Sequence, residues 1–527
     1  MDIVFRGATV VDGTGAPGRI ADVGVAEGRI AEIGPRVTGG RVIDAHGLVL
    51  CPGFIDMHSH SDLQVLASPD HLAKVSQGVT CEVLGQDGLS YAPVDDEVLA
   101  TLRKQLAGWN DDPPGFDWDW RSVGEYLDRL DRGIAVNAAY LVPQGTVRML
   151  HVGWDDRPAT ESEMDAMKST VDTSLTEGAF GLSSGLTYTP GMYADTGELV
   201  QLCRVVGARG GYYSPHHRSY GAGALEAYAE MVDVSQRSGC PLHLAHATMN
   251  FPVNEGRAGE LLTLLDQAIE AGADVTLDSY PYLPGATYLS ALLPSWVSAG
   301  GPDAAVARLS DVDTRERIRA EMEETGSDGN HGVPIDWRAI EINGVRGAHN
   351  GHLVGRSVAE SAAAQGVAPA QLYFDVLVDE RLGTSCLMHV GHEDNVRAIM
   401  RHRTHTGGSD GLLVGDRPHP RAWGTFPRYL GRYVRELGVL GLEECVAHLT
   451  GRPARRLGLT DRGLVREGLA ADLVLFDPLS IADTATFEQP RQRATGLPYV
   501  LVNGVPVIDD DRPTGAVPGG SLRRGSK

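Results

Sequence analysis

Short alternating apolar and polar runs mark both ends of the chain, and a longer rhythm of apolar segments and amphipathic stretches fills the middle. Ile3 to Val11, Val23 to Val25 and Arg29 to Ile33 read as strands, punctuated by Asp12-Gly13, Gly15 and Glu27-Gly28. Val42 to Leu50 then leads into an apolar run that ends in histidines. The strand pattern returns at Ala471 to Asp477 and at Tyr499 to Ile508, the latter folded about an Asn503-Gly504 turn signal. Two β-rich ends around a long middle predict one β-sandwich domain assembled from residues 1–50 and 455–510.

Between them, strand-like runs alternate with helical stretches. Gly133 to Leu141, Gly178 to Leu182, Gly211 to Ser214, Pro241 to His246 and Ala273 to Asp278 are the clearest strands. Strand–helix alternation over this length predicts an α/β fold with a parallel sheet, most simply a closed (β/α)₈ TIM-like barrel over residues 51–454. Residues 295–349 break the rhythm, being helix-rich and charged from Val312 to Glu324, and are expected as a small insertion subdomain. Residues 511–527, a Gly/Pro/Ser/Arg mixture, are expected as a flexible tail.

Composition narrows the class. With 527 residues the chain is long enough for a large catalytic domain and an accessory unit. Acidic residues outnumber basic ones 69 to 46, a net charge of −23 that argues against nucleic acid or an anionic membrane as partner. The six cysteines are scattered without a CxxC pair, as in a reducing compartment. No secretory signal or membrane-spanning run is visible, so a cytoplasmic location is expected. A homo-oligomer is compatible with the sequence. The lysines are Lys74, Lys104, Lys168 and Lys527, which leaves few candidates for a carboxylated lysine bridging two metals.

The chemistry gathers at strand ends. In Cys51-Pro-Gly-Phe-Ile-Asp-Met-His-Ser-His60 the apolar run closes on His58 and His60, two residues apart and on one face of a strand. His216 and His246 also terminate strand-like runs, and Asp410 lies in the turn Gly407-Gly-Ser-Asp-Gly411. Strand ends distant in sequence converge on one face of a barrel, and imidazole with carboxylate is a donor set suited to Zn²⁺.

These residues, in this order, resemble the amidohydrolase superfamily, and within it the D-aminoacylases (N-acyl-D-amino-acid deacylases). Matching runs include Pro52 to His60, Gly178 to Gly191, Asp278-Ser-Tyr-Pro-Tyr282, Leu289 to Pro294, Gly408 to Gly411 and His419 to Tyr433, covering nearly the whole chain. The resemblance implies a tight metal site at His216 and His246 and a second position at His58 and His60. The family's cysteine ligand has no counterpart. Asp87, in Gly85-Gln-Asp-Gly88, stands in its place. A carboxylate oxygen ligates zinc at about 2.0–2.2 Å and its two oxygens can bridge, with Mn²⁺ tolerated better than by a thiolate.

The resemblance further implies amide hydrolysis by metal-activated water, with Asp410 as general acid and base, Arg421 binding a substrate carboxylate, and Tyr188 and Tyr280 lining the pocket. The expected substrate is an N-acyl-D-amino acid or related N-acyl compound. A cyclic amide, imide or specialised-metabolite amidase is the alternative, and a non-catalytic scaffold a third reading. Leu283 to Thr287 replaces small hydroxyl residues after Tyr-Pro-Tyr, and His217, His389 and His392 are additional histidines.

Overall fold

A computed structural model describes residues 1–525. Its centre is a sheet of eight parallel strands: Phe54–Asp56, Val79–Leu84, Asn137–Pro143, Gly181–Gly185, Tyr212–His216, Leu242–Leu244, Val275–Ser279 and His405–Gly407, neighbours in that order. The last strand returns to the first. Met57 N donates to Gly407 O (3.2 Å) and Asp410 N to His58 O (2.8 Å), so the barrel closes beside the first histidine pair. Helices such as Glu161–Thr176, Thr196–Ala208 and Ala224–Ser238 bury one face against the strands. Glu161–Thr176 begins with a Thr160–Glu163 capping box, which satisfies otherwise orphaned backbone donors.

The termini build one nine-stranded, largely antiparallel sheet. Ile3–Val10 lies within it, flanked by Arg19–Ala26 on one side and by Arg41–Asp44 and Val49–Pro52 on the other. The expected boundary at residue 50 moves. Val49–Pro52 pairs with Leu473–Phe476 of the terminal sheet, so Cys51 belongs there and the barrel begins at Phe54. Gly53 makes the change of sheet possible, because a Cβ there would meet Thr80 Oγ1 at 2.1 Å.

The inserted unit is larger than the expected 295–349. Gly285–Tyr288 pairs antiparallel with Ser385–Met388, which also pairs with Ile340–Gly344, giving a four-stranded sheet that spans residues 285–388. Leu292, Ile318, Met322, Tyr373 and Phe374 form its own core. The flexible tail expected at 511–527 is instead laid along the barrel as far as it is described: Gly519 N donates to Ile134 O and Leu522 N to Ala138 O. Residues 526–527 lie outside the described part. All six cysteines are buried and free, in keeping with the absence of a disulfide framework. Among the described residues no helix is long and apolar enough to cross a membrane.

Candidate metal centre

The barrel brings His58, His60, Asp87, His216, His246 and Asp410 to the carboxyl ends of its strands, where barrel enzymes place their chemistry. Two donor sets form: His58, His60, Asp87 and Asp410; and Asp87, His216 and His246. Asp87 belongs to both. Its Oδ1 is 3.4 Å from His58 Nε2, and its Oδ2 is 3.4 Å from His60 Nε2, 3.3 Å from His216 Nδ1 and 3.4 Å from His246 Nε2. Donors bound tetrahedrally to one zinc at about 2.0–2.2 Å lie roughly 3.3–3.6 Å apart, so the spacing fits a divalent ion in either set.

The backbone is strained where the donors sit. Asp87 (φ 54°), His246 (φ 29°) and Asp410 (φ 48°) all occupy positive φ. Such conformations cost about 1–3 kcal/mol each and persist where the surrounding structure imposes them, as at functional sites.

Electrostatics explain how so many charges tolerate burial. Burial opposes ionisation of Asp87, but His58, His246 and His216 surround it and hold its carboxyl well below the usual range. Asp410 is likewise held low against burial by the Arg421 guanidinium and His60. Burial pushes His216 down to about 4, leaving a neutral imidazole ready to ligate. The Thr187 hydroxyl lies 2.7 Å from His216 Nε2 and so presents Nδ1 to the centre.

A second layer orients these groups. Asp278 Oδ1 accepts the His246 backbone N–H (3.0 Å) while Oδ2 sits 3.0 Å from His243 Nε2 and 3.7 Å from His58 Nδ1. Beneath the first histidine pair, Lys74 Nζ donates to Asp56 Oδ2 (2.6 Å) and Ser409 Oγ (2.9 Å). Lys74, fully buried, therefore anchors the strand carrying His58 to the turn carrying Asp410, rather than bridging metals.

A cavity opens onto Asp87, His60, His216, His246 and Asp410. Its walls are mainly aromatic and apolar, with Trp109, Tyr188, Tyr220, Phe251 and Tyr280 joined by Met388 and Val390 from the inserted unit and its edge. Tyr188 packs 4.8 Å from the His216 ring, and its hydroxyl lies 3.1 Å from Thr287 Oγ1. Arg421 does not line the cavity directly. It stacks 4.4 Å from the Tyr280 ring centre, reaches Asp410 Oδ2 at 2.9 Å, and keeps Nε and Nη1 without partners.

Several participants carried no sequence signal. Trp109 comes from a short loop helix and packs 4.6 Å from the His60 ring. His331 comes from the inserted unit. Asp278 was visible only inside a matching run. Of the extra histidines, His217 is buried between Tyr220 and Tyr228, His389 pairs with Glu341 (2.9 Å), and His392 hydrogen-bonds Phe251 O (2.9 Å).

Comparison with known proteins agrees with this geometry. The model of the amidohydrolase family matches residues 41–508. The D-aminoacylase of Alcaligenes xylosoxydans xylosoxydans is 35% identical over 99% of this chain and 98% of its own length. The N-acyl-D-glutamate deacylase of the same organism is also 35% identical, over 99% and 97%. Among solved structures, the Bordetella bronchiseptica N-acyl-D-glutamate deacylase, complexed with zinc and a phosphonate mimic of the tetrahedral intermediate, superposes with a TM-score of 0.85 at 33% identity, covering 99% of both chains. A D-aminoacylase structure gives 0.82 at 35%, covering 99% of this chain and 100% of that one. The chain belongs to the amidohydrolase family, in its D-aminoacylase branch, and is a metal-dependent hydrolase of linear amide bonds.

Proposed function

We propose that the protein deacylates N-acyl-D-amino acids with neutral, apolar side chains, using divalent metal, zinc foremost, held around Asp87. The observation that carries the side-chain preference is the make-up of the cavity: no lysine or arginine lines it. His331, which does, is pushed down to about 3 by burial and by His216 and His246, so it is uncharged near neutral pH. The relatives act on different substrates by name (D-aminoacylase, N-acyl-D-glutamate deacylase and N-acyl-D-aspartate deacylase), yet each is 35% identical. Identity does not choose among them. An acidic side chain would be buried here without a cation, at a cost of several kcal/mol, whereas an apolar one gains about 25 cal/mol per Å² buried.

Held by Asp87 with His216 and His246, or with His58 and His60, a divalent ion would lower the pKa of water to about 7 and polarise a carbonyl oxygen. The chain's own residues do the rest. Asp410, ionised and at the cavity wall, takes a proton from water and returns it to the leaving amine nitrogen. General acid–base work of this kind contributes about 10²–10⁴-fold. Arg421 holds Asp410 in place, and its free Nε and Nη1 are the donors available to a substrate carboxylate at the Tyr280–Ala286 edge of the cavity. Tyr188 offers its hydroxyl beside Thr287.

The sharing of Asp87 between both donor sets supports room for two ions, and its oxygen donors support Mn²⁺ as an alternative to zinc. Amine release from a panel of N-acetyl-D- and N-acetyl-L-amino acids tests the reading. Turnover of D-leucine or D-methionine derivatives is expected, and hydrolysis confined to acidic side chains or L substrates would overturn it.

A further inference from the structure

The barrel carries a second cleft at the end opposite the metal centre. It is lined where strands begin: Tyr212 and Val275 open the two strands that carry His216 and Asp278 toward their far ends. Five arginines converge there, Arg403, Arg452, Arg455, Arg456 and Arg524, in a chain of net charge −23.

Their charges are only partly matched. Arg403 pairs with Asp266 (2.5 Å) and Arg456 with Asp274 (2.6 Å). Arg452 has only Glu444, at 3.7 Å, and its Nη1 is buried without a partner. Arg455 is exposed and makes no ion pair among the described residues. Arg524, delivered by the C-terminal segment, hydrogen-bonds the Gly210 and Phe180 carbonyls and, among the described residues, no acid. Burial, and Arg455 beside it, push Arg452 below the usual guanidinium range, and burial does the same to Arg524. The Tyr212 hydroxyl completes the wall. The residue is 1% exposed and its oxygen has no hydrogen-bond partner.

We infer that this cleft binds a small multivalent oxyanion through Arg452, Arg455, Arg524 and the Tyr212 hydroxyl. Planar guanidinium forks suit phosphate, sulfate and carboxylate groups alike. Calorimetric titration of the metal-loaded full-length enzyme with sulfate and, separately, malonate tests the inference, and the arginine variants below separate binding in this cleft from binding at the metal centre. Saturable one-to-one binding with Kd of about 1 mM at low salt is expected. Saturation by sulfate alone assigns a tetrahedral anion, and by malonate alone a dicarboxylate. Arg455→Gln, at an exposed position, should weaken binding about tenfold while leaving amide turnover unchanged, and Arg452→Gln/Arg455→Gln should weaken it further. No saturation by either anion up to about 10 mM, or the same Kd in the arginine variants, would overturn it.

Discussion

Arg421 Nη2 lies 2.9 Å from Asp410 Oδ2, and both groups are buried, so the acid proposed to move protons is tethered to the cation proposed to hold the substrate carboxylate. The guanidinium can hold Asp410 with one N–H and still offer Nε and Nη1, a division a lysine ammonium cannot reproduce with fixed geometry. Arg421→Lys is therefore expected to raise KM for a carboxylated substrate by about tenfold or more. Steady-state kinetics check this, and an unchanged KM would place the carboxylate elsewhere.

Asp410 sits in a donor set that retains His58, His60 and Asp87 without it. Asp410→Asn should leave bound metal largely in place while lowering kcat by about 10²–10⁴-fold. Metal analysis beside turnover separates the two effects, and undiminished activity would remove Asp410 from the reaction.

Acid stability should depend on Glu82. Burial opposes its ionisation, but His71 (2.8 Å) and Lys74 (3.7 Å) hold its carboxyl down to about 2 from 4.5. A carboxyl depressed in the folded state contributes stability that is present above the unfolded value and lost as pH falls from about 4.5 toward about 2. The shift corresponds to about 3 kcal/mol. Glu82→Gln should lower unfolding free energy by about that much near neutral pH and flatten its fall below about pH 4.5. Urea unfolding across pH measures both, and an unchanged pH profile would contradict the assignment.

The proposed side-chain selectivity follows from a cavity that no lysine or arginine lines. N-acetyl-D-leucine should exceed N-acetyl-D-glutamate in kcat/KM by about 100-fold, the order expected when a carboxylate is buried without a partner. Thr248 lines the same cavity. Thr248→Lys places a cation in the wall and should shrink that ratio, as competition assays would register.

Much of this site was legible because its donors end strands. His58, His60, His216 and His246 each close a strand-like run and Asp410 lies in a glycine-rich turn, and the barrel brings such positions together whatever their separation in sequence. Asp87 could be placed only through the turn it occupies. The orienting layer was not legible in the same way. Asp278 serves His246 because the Leu244–Leu277 register sets their strands side by side, and register between distant parallel strands leaves no local trace. Trp109 arrives on an irregular loop that no periodicity marks. The inserted unit was misjudged because its founding pair, Gly285 with Met388, is non-local. The segment after residue 511 looked mobile because its partners are backbone groups of the barrel, which composition does not reveal.

The most direct test of the central claim is metal removal and restoration on wild-type protein and Asp87→Ala, following amine release from N-acetyl-D-methionine with metal content measured in parallel. Chelation should abolish turnover in the wild type, and zinc should restore it. Asp87→Ala should bind less metal and remain below about 1% of wild-type activity, since one carboxylate serves both donor sets. Full turnover by metal-free protein, or wild-type metal content and activity in Asp87→Ala, would contradict the account.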